Sequence, residues 1–517
     1  MISLPHFPRY TDPLRHWSRL APDRLALVVR GRGSRQTYAE LDATADIWAD
    51  ELRRRGIGKG DRVAVIAGNR REIPELFFAC GRVGAAMVAL NWRLAGAELV
   101  EILNHANAAI VIGEARFLSP VSESDALVLR EWMDIEADAP STARASSHGF
   151  NADESQPRVS SERVPDVEVG PDDAALILYT SGSTGLPKGV IIPHRQILFN
   201  AVATATAWEL GPSDIAPVAT PFFHTGGLNV FATPLWHRGG TVVLFDQFDP
   251  AGFMEGLAEE NCTVALTVPT QLVMMRESTR WGIELPALRY FISGGAPCPP
   301  SLSAEVRAAG YTLREGYGLT ECGPNCFAIS DDESIRNPGS VGRPVPFLEM
   351  RLVTDDGREA GTDEPGELLL RGPQMFGGYL HDPERTAEAV TDGWLHTGDL
   401  ASRNAAGLYS ICGRRKEMYI SGGENVFPAE VESVLTAHPC VGEAVVVGVP
   451  DPLWGEVGRA YVLLRDVRDS ATPTEAELTG FIRERLAAYK VPKSMIFVAD
   501  LPRLGSGKPD RRALAFI

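Results

Sequence analysis

A glycine-rich loop between two apolar segments is the feature that most constrains how this chain folds. Residues 178–190 read LYTSGSTGLPKGV, and they join an apolar run at 174–178 to a second one at 190–192. Short apolar runs bounded by turn residues are typical of buried strands. The sequence therefore predicts two core strands that hold a polar loop between them.

The composition of this loop favours anion binding. Glycines allow tight turns and bring backbone N–H groups close to a ligand, hydroxyl side chains add donors, and Lys188 adds a positive charge. Lys188 is followed by Gly189 and not by Ser or Thr, so the loop does not fit the pattern G-x-x-x-x-G-K-[ST]. A Ser/Thr/Gly loop alone is most often a solvated turn, and polyphosphate binding therefore needs support from other segments.

The order of the apolar segments predicts the fold class. Thr37 and Glu40 form a capping-box pattern at the start of a helix that Gly56 ends. From there to residue 112, helical patterns alternate with short strand patterns, which is typical of parallel α/β layers. Residues 350–353 and 366–371 are expected to pair as antiparallel strands. After about residue 414 the pattern predicts a compact α+β unit with a polar tail.

Two features of the sequence carry no predicted chemistry. In residues 135–169, Ser, Arg, Glu, Asp and Pro replace the apolar periodicity, and we expect a mobile surface excursion. The seven cysteines are scattered and odd in number, which fits reduced thiols better than a disulfide framework. Cys322 and Cys326 lack the further ligands of a zinc set, and we interpret both as structural.

Charge and length limit the functions that this chain can have. The formal net charge of −17 argues against binding to nucleic acid or to anionic lipid, so any phosphate must be bound by locally placed donors. The first 15 residues lack the apolar core of a signal peptide, and no run of about 18 apolar residues occurs. We therefore expect a cytoplasmic protein without a transmembrane segment. Its 517 residues are too many for one core.

Three later segments carry residue types that suit a nucleotide. Residues 293–297 (SGGAP) present backbone without bulky side chains, against which a flat ring fits. Residues 315–321 (EGYGLTE) combine an aromatic ring, a hydroxyl and a carboxylate, which suit a purine, a phosphate and Mg²⁺. Asp399 and Arg414 offer a carboxylate and a guanidinium that could grip a diol or pair with each other.

These motifs, in this order, resemble the adenylate-forming superfamily, which comprises acyl-CoA synthetases, peptide-synthetase adenylation domains and firefly luciferase. The resemblance extends from about Thr37 to Leu514. It implies an α/β fold with an AMP-binding N-terminal domain over residues 1–415, made of two α/β layered subdomains and a small β-barrel-like part. A small, mobile α+β lid domain over residues 416–517 would carry a catalytic lysine.

The resemblance also implies which residues bind ATP and AMP. Tyr317 would stack on adenine, and Asp399 and Arg414 would hold the ribose hydroxyls. The full set is Thr180, Ser181, Gly182, Ser183, Thr184, Gly185, Lys188, Gly294, Gly295, Ala296, Pro297, Glu315, Gly316, Tyr317, Gly318, Asp399, Ile411 and Arg414.

Four residues are implied in catalysis. Lys508 follows Gly-Ser-Gly and would place an ammonium where a carboxylate attacks the α-phosphate of ATP, which lowers the barrier by electrostatic stabilisation. Glu321 would hold Mg²⁺, and Thr320 would touch the α-phosphate. His224 would border the acyl pocket and gate access of CoA.

The resemblance further implies a hinge, a CoA-binding segment and an acyl pocket. Lys416 would be the pivot of the lid domain. The other implied positions are Gly422, Gly423 and Glu424 for CoA, and Phe223 and His224 for the acyl pocket. Asn229, Val230 and Phe231 are candidates for the pocket wall only because they lie close to His224 in the sequence.

The function implied is that of an AMP-forming acyl-CoA synthetase that uses ATP, Mg²⁺ and CoA. The pocket segments are apolar or small, so we expect a hydrophobic monocarboxylic acid, with medium- or long-chain fatty acids ahead of aryl acids. Aryl-acid or o-succinylbenzoate CoA ligases, an adenylating enzyme that loads a carrier protein, and a non-catalytic nucleotide-binding relative are the alternatives. A homodimer is left open as the assembly.

Overall fold

A computed structural model describes residues 12–31, 33–122, 131–140, 167–180, 187–421, 424–465, 472–504 and 508–515. The loop positions 181–186, the positions 422–423 and most of the predicted excursion lie outside the described residues. Ile135 and Val169, at the two ends of that excursion, are buried. Within the described ranges, no helix has the length and apolarity needed to cross a bilayer.

Sheet A is a seven-stranded sheet that includes both strands predicted around the glycine-rich loop. Four of its strand pairs, which join the strands between residues 62 and 180, are parallel. The two strands that the glycine-rich loop joins pair antiparallel. In spatial order its strands are Gly378–Tyr379, Lys188–Pro193, Ala174–Thr180, Ala86–Ala89, Arg62–Ile66, Ile110–Gly113 and Trp132–Asp134.

Helices cover both faces of sheet A, as expected for a largely parallel sheet. Val63 and Val65 pack into the same core as the helices Tyr38–Arg54 and Glu72–Val83, whereas Ala64 packs with the helix Gly96–Ala106 on the other face. The predicted capping box is confirmed: Thr37 Oγ1 accepts from Glu40 N, and Glu40 Oε2 accepts from Thr37 N. Alternate residues of one strand thus belong to two cores.

Sheets B and C form the second α/β layer. Sheet B has four strands, Ser34–Thr37, Leu25–Val29, Thr241–Leu244 and Ile215–Val218. Sheet C has three parallel strands, Val264–Thr267, Tyr290–Ser293 and Leu313–Glu315. The two sheets adjoin where Thr263 N donates to Ile215 O over 2.8 Å.

Sheet D is the antiparallel part of the large domain. It is a seven-stranded antiparallel sheet, and the predicted pairing of residues 350–353 with 366–371 is confirmed within it. Its strands are Phe327–Ala328, Ser340–Pro344, Glu349–Val353, Gly366–Arg371, Val390–Thr391, Trp394–Arg403 and Tyr409–Arg414.

Sheet E belongs to the smaller, carboxyl-terminal domain. Its strands are Tyr419–Ser421, Glu424–Val426, Val441–Asp451, Gly455–Leu464 and Ser494–Val498. The helices Pro428–Thr436 and Glu475–Arg483 pack on one face, and Arg511–Ala515 packs on the other. The molecule is therefore a mixed α/β protein with a large amino-terminal and a small carboxyl-terminal domain, as predicted.

The remaining α-helices lie in the large domain. They are Pro13–Leu20, Ala115–Ser122, His194–Ala207, Thr225–Asn229, Ala232–Arg238, Pro250–Glu259, Pro269–Glu277, Pro300–Ala308, Asp331–Arg336 and Pro383–Ala389.

Glu75 is a fully buried carboxylate in the core of the large domain. Its Oε1 accepts from Gln36 Nε2 over 2.9 Å, and its Oε2 accepts from Trp48 Nε1 over 3.0 Å. Burial raises the pKa of Glu75 from 4.5 to about 7, although the positive charge of Arg71 opposes the shift. The folded chain therefore holds a proton that the unfolded chain loses at lower pH.

This proton makes the stability depend on pH through Glu75. The contribution of the protonated carboxyl is complete below pH 4.5 and is lost as the pH rises to about 7. We expect the unfolding free energy of Glu75→Gln, relative to the original protein, to improve by about 2 kcal/mol between pH 5 and pH 8. Urea unfolding at both pH values measures this change. Exposed Glu359→Gln is the control, and an equal response of both variants would contradict the assignment.

Candidate active site

The side chain of Lys508 crosses from the small domain to the large one. Its Nζ donates to the carbonyl oxygen of Gly295 over 3.0 Å. Gly295 follows the strand Tyr290–Ser293 at the carboxyl edge of sheet C, and Leu504 N donates to Lys508 O and so closes the tail of the small domain. The lysine predicted to be catalytic therefore lies in the cleft between the domains.

The surroundings of the Lys508 ammonium are unfavourable to its charge. Part of the residue is exposed, but protein atoms desolvate the ammonium, and this burial lowers the pKa of Lys508 below its ordinary value. The positive charge of Arg414 lowers the pKa further, whereas the carboxylate of Asp399 opposes the shift. An anionic group bound at this point would gain a strong interaction with the ammonium.

Three of the predicted nucleotide residues form one hydrogen-bonded group. Tyr317 Oη donates to Asp399 Oδ2 over 2.5 Å, and Arg414 Nε lies 3.0 Å from Asp399 Oδ1. Asp399 and Arg414 face each other across two antiparallel strands of sheet D, and Ile411 lies on the second of these strands. This geometry fits both interpretations of Asp399 and Arg414, as an ion pair and as a binding site for a diol.

Burial and the negative charge of Asp399 raise the pKa of Tyr317 well above its ordinary value. The hydroxyl therefore stays protonated and acts as a donor to Asp399. The Tyr317 ring meets the Phe327 ring edge-on, with 5.8 Å between the centroids. The ring is thus fixed at one end by a hydrogen bond and on its side by packing.

The two glycine-containing segments predicted to border adenine lie side by side. Ser293 and Glu315 are partners in parallel strands, and Gly316 N donates to Ser293 O over 2.8 Å. An added Cβ at Gly294 would meet only Gly316 O, at 3.7 Å. Gly295, Ala296 and Pro297 are exposed at this edge. The result is a flat backbone surface with space above it.

Glu315 ends the strand Leu313–Glu315 with a partly hidden carboxyl group. Its Oε1 accepts from Gly339 N over 3.0 Å. Burial raises the pKa of Glu315 to about 7, and the hydrogen bond from Gly339 opposes the shift. Glu315 therefore changes charge near neutral pH.

The loop after Tyr317 is folded tightly on itself. Leu319 N donates to Gly323 O, and Cys326 N donates to Tyr317 O. A Cβ on Gly318 would lie 2.1 Å from the carbonyl carbon and oxygen of Pro324, so only glycine fits there. Cys322 and Cys326 are buried free thiols, in line with a structural role.

Glu321 lies on a 3₁₀ turn, Thr320–Cys322, and it is held from several sides. Its Oε1 accepts from Tyr379 Oη over 2.9 Å, and its backbone oxygen accepts from Phe376 N. The backbone oxygen of Thr320 accepts from Gln196 Nε2 over 2.8 Å. Glu321 Oε2 accepts no hydrogen bond from the described residues, so one carboxylate oxygen is left for a ligand.

Lys188 and Thr180 lie at the mouth of the glycine-rich loop. They are partners in the antiparallel pair of strands that the loop joins. The Lys188 ammonium lies 4.7 Å from the centroid of the Tyr379 ring, and this ring connects Lys188 with Glu321. Ser181, Gly182, Ser183, Thr184 and Gly185 lie outside the described residues.

The donor set fits Mg²⁺ only together with a phosphate ligand. Among the described residues there is no cluster of three or more His, Cys, Asp or Glu side chains that could hold a metal alone. Mg²⁺ is commonly bound by one or two carboxylates plus the phosphate oxygens of a nucleotide. Glu321 matches that requirement, because one of its carboxylate oxygens has no partner among the described residues and Tyr379 connects it with Lys188.

The His224 side chain is partly buried, and the positive charge of Lys508 acts on it. Burial lowers the pKa of His224 to about 4, and the positive charges of Arg93 and then Lys508 contribute. The imidazole is therefore neutral at pH 7. Its ring packs on that of Phe223, with 4.6 Å between centroids, so the predicted pocket residues Phe223 and His224 form one aromatic pair.

The other predicted pocket residues pack in the core. Asn229 Nδ2 donates to Thr225 Oγ1, and Asn229 Oδ1 accepts from Thr233 Oγ1. Val230 is buried, and Phe231 packs edge-on against Trp208. These contacts lie within the helical layer, so proximity in sequence to His224 is a weak guide to the pocket wall.

Lys416 lies between two anchored neighbours. Arg415 N donates to Gly398 O of the large domain over 2.9 Å, whereas Glu417 Oε2 lies 3.2 Å from Arg511 Nε of the small domain. Burial and then the charge of Arg414 lower the pKa of Lys416. The CoA residue predicted next, Glu424, is exposed on its strand, and Gly422 and Gly423 lie outside the described residues.

Sequence reasoning missed Tyr379 and Gln196, which both contact the Thr320–Glu321 turn. Gly377-Gly378 before Tyr379 was a signal of close backbone approach, but nothing in the sequence links this tyrosine to Lys188 or Glu321. Such contacts between distant segments become visible only in the folded chain.

Comparisons with known proteins agree with this geometry. The model of the AMP-binding enzyme family matches residues 14–380, and that of the AMP-binding enzyme C-terminal domain matches residues 430–508. The chain is similar to feruloyl-CoA synthase of Amycolatopsis sp, with 37% identity over 497 residues that cover 96% of each chain. It is also similar to long-chain-fatty-acid–CoA ligase FadD13 of Mycobacterium tuberculosis, with 36% identity over 96% of this chain and 95% of the relative.

Solved structures of two further proteins resemble the whole chain. O-succinylbenzoate coenzyme A synthetase (MenE) from Bacillus subtilis, in complex with ATP and magnesium ion, has a TM-score of 0.85 and 29% identity over 98% of this chain and 100% of that chain. ATP-bound MatB from Rhodopseudomonas palustris has a TM-score of 0.84 and 31% identity over 97% of this chain and 98% of that chain.

Gly318 has no space for a side chain, because the backbone of Pro324 lies against it. In Gly318→Ala the added methyl would overlap Pro324, so the loop that carries Tyr317 and Glu321 must shift. We expect a loss of about 1–3 kcal/mol in the free energy of unfolding and at least roughly tenfold weaker ATP binding. Calorimetric titration with ATP and urea unfolding measure the two effects.

Gly480→Ala is the matched control for Gly318→Ala. Gly480 lies in the helix Glu475–Arg483, and an added Cβ there meets no atom within 4 Å. We expect unchanged ATP binding and a gain of about 0.5–1 kcal/mol in stability, because alanine favours the helix. Wild-type affinity for ATP in Gly318→Ala would show that the loop tolerates the methyl.

Proposed function

Because the chain belongs to the AMP-binding enzymes of the adenylate-forming superfamily, we propose that it converts a hydrophobic monocarboxylic acid to its CoA thioester. The enzyme is an acid–thiol ligase of the AMP-forming type, and its substrates are a carboxylic acid, ATP and CoA, with Mg²⁺ as the metal cofactor. Carboxylate and ATP give an acyl-adenylate and pyrophosphate, and the CoA thiol then displaces AMP. The observation that carries the proposal is the contact of Lys508 with Gly295 in the cleft.

Lys508 is the residue that we propose to stabilise the first step. When the carboxylate attacks the α-phosphate, negative charge develops on oxygens near the entry point. A desolvated ammonium, already positioned at the edge of sheet C, interacts strongly with that charge and needs little reorganisation. Bound Mg²⁺ would neutralise phosphate charge, and Glu321 would hold it through the free carboxylate oxygen.

The nucleotide would lie on the surface made by Gly294, Gly295 and Gly316. The Tyr317 ring, fixed by Asp399, offers an aromatic face for adenine. Asp399 and Arg414 lie next to each other, so a ribose diol could bond to both after replacing part of their mutual contact. Lys188 and Thr180, which are partners where the two strands meet the loop, would bind the phosphates.

We place the boundary of the two domains between residues 415 and 416. Arg415 N bonds to the large domain and the Glu417 side chain to the small one, so the proposed pivot Lys416 lies between them. Glu417 N and Met418 N also donate to Arg414 O, and a rotation would break these two bonds. A rotation there would withdraw Lys508 after adenylation and bring the segment of Gly422, Gly423 and Glu424 to the cleft, where small residues would let the thin arm of CoA approach.

The identity of the acid is the finer part of the proposal. The sequence favoured medium- or long-chain fatty acids over aryl acids. The relatives named feruloyl-CoA synthase and indoleacetate–CoA ligase, at 37% and 36% identity, now favour aryl-substituted acids first, with long-chain acids second. The aromatic pair of Phe223 and neutral His224 supports an apolar acyl group at this wall.

Removal of the Lys508 ammonium tests the proposed catalysis. We expect Lys508→Ala to lower the rate of acid-dependent pyrophosphate release by about 10²–10³-fold, while ATP affinity changes little. The control is Lys59→Ala, which removes another lysine ammonium with its ion pair to Asp173 and its hydrogen bond to Glu168 O. Full pyrophosphate release by Lys508→Ala would exclude the assigned role.

A panel of acids tests the proposed substrate class. Ferulate, indoleacetate, decanoate, palmitate, 2-succinylbenzoate and malonate are compared by kcat/KM for pyrophosphate release, with CoA present to trap the thioester. We expect the hydrophobic monocarboxylates to exceed both dicarboxylates by at least roughly tenfold, since a second buried carboxylate needs a partner. A dicarboxylate as the best substrate, or adenylate without CoA thioester, would refute this choice.

A further inference from the structure

Tyr379 connects two parts of the proposed nucleotide site that are far apart in sequence. Its hydroxyl donates to Glu321 Oε1 over 2.9 Å, and its ring centroid lies 4.7 Å from the ammonium of Lys188. Lys188 begins the strand after the glycine-rich loop, whereas Glu321 lies on the turn after sheet C. One side chain therefore contacts both the lysine of the loop and the carboxylate expected to hold the metal.

The backbone fixes Tyr379 in this place. The strand Gly378–Tyr379 pairs antiparallel with the strand that Lys188 begins, and Tyr379 is the partner of Val190. Tyr379 N donates to Thr386 Oγ1 over 2.9 Å. A side chain at Gly378 would press on Thr386, and its φ of 116° also favours glycine. The Gly-Tyr pair can therefore approach sheet A closely.

Packing holds the Tyr379 ring as well. The ring meets that of Phe376 edge-on, with centroids 5.0 Å apart, and Tyr379 is 9% exposed. Phe376 N in turn donates to the backbone oxygen of Glu321. The ring, the hydroxyl and the Glu321 turn are thus parts of one rigid unit.

The two contacts have different physical effects. The hydroxyl occupies Oε1 of Glu321 and leaves Oε2 open, so it sets the direction in which the carboxylate presents its free oxygen. The ring attracts the Lys188 ammonium through its negative face and restricts a flexible side chain. Both contacts are made by residues of this chain alone.

We propose that Tyr379 is a positioning residue for the Mg²⁺–nucleotide complex: its hydroxyl orients Glu321 toward the metal, and its ring holds Lys188 beside the phosphates. The proposal rests on the proposed function of this site. Tyr379 need not touch either ligand. Its role is to remove the conformational freedom of the two groups that do, so that binding loses less entropy.

Titration of ATP without any carboxylic acid isolates this role, because no reaction follows. ATP affinity is measured by calorimetry with excess Mg²⁺ and again with EDTA, and the ratio of the two affinities is the enhancement by Mg²⁺. Tyr379→Phe keeps the ring over Lys188 and removes only the hydroxyl. We expect the enhancement to fall about tenfold, the size typical of groups that orient a metal ligand, and the affinity in EDTA to stay within about twofold.

Two further variants separate the ring from general packing. Tyr379→Leu also removes the aromatic face, so we expect ATP affinity in EDTA to fall by a further two- to fivefold. Phe248→Leu removes an aromatic packing contact elsewhere, with Phe253, and leaves Tyr379 and its neighbours untouched, so it should lower the unfolding temperature and leave the enhancement by Mg²⁺ unchanged. Unfolding temperatures of all variants confirm that each is folded.

The outcomes distinguish the positioning role of Tyr379 from the proposed function of the site. An unchanged enhancement in Tyr379→Phe, or an equal loss of ATP affinity with Mg²⁺ and with EDTA, overturns the positioning role and leaves the proposed function intact. No enhancement by Mg²⁺ in the original protein also overturns the positioning role, whereas the proposed function fails only if the original protein releases no pyrophosphate with any acid of the panel.

Discussion

The hydrogen bond from Lys508 to the carbonyl oxygen of Gly295 is the interaction on which the rest of the site depends. It brings the end of the chain to the carboxyl edge of sheet C, where Gly294 and Gly316 leave a backbone surface without side chains. Parallel strands end together at such an edge, so residues from separate segments meet there. The lysine thereby reaches a surface on which a flat nucleotide fits, and neither domain contains this arrangement alone.

The electrostatics of the cleft differ from those of the whole molecule. The chain carries a formal net charge of −17, yet Lys188, Arg414 and Arg512 all act on Lys416, and Arg414 also acts on Lys508. Burial is the main cause that lowers the pKa of Lys416 and of Lys508. The three cations add to this effect at Lys416, and Arg414 adds to it at Lys508. Repulsion between the cations is a cost that the fold carries while no anion is bound. A polyphosphate would relieve it, which explains how an acidic protein can bind an anionic ligand.

Much of the fold could be predicted from local patterns, but the contacts of the site could not. The Thr37 capping box and the strand Gly366–Arg371 follow from short-range rules and are confirmed. Asn229 was assigned to the pocket by proximity in sequence, and its hydrogen bonds to Thr225 and Thr233 could not be predicted from that proximity. Contacts such as Tyr379 with Glu321 join distant segments, and no local pattern encodes them.

The position proposed for the hinge follows from which bonds a rotation would keep. The Arg415 guanidinium pairs with Glu367, and its amide bonds to Gly398, so this residue moves with sheet D. Glu417 pairs with Arg511, which also pairs with Glu432 of the small domain. A rotation at Lys416 would leave both sets intact and would break the contact of Lys508 with Gly295, together with the two bonds that Glu417 N and Met418 N donate to Arg414 O. The proposed motion thus releases the contact of Lys508 with Gly295, which only the adenylation step would use. The bonds of Arg415 and Glu417 would stay within their own domains.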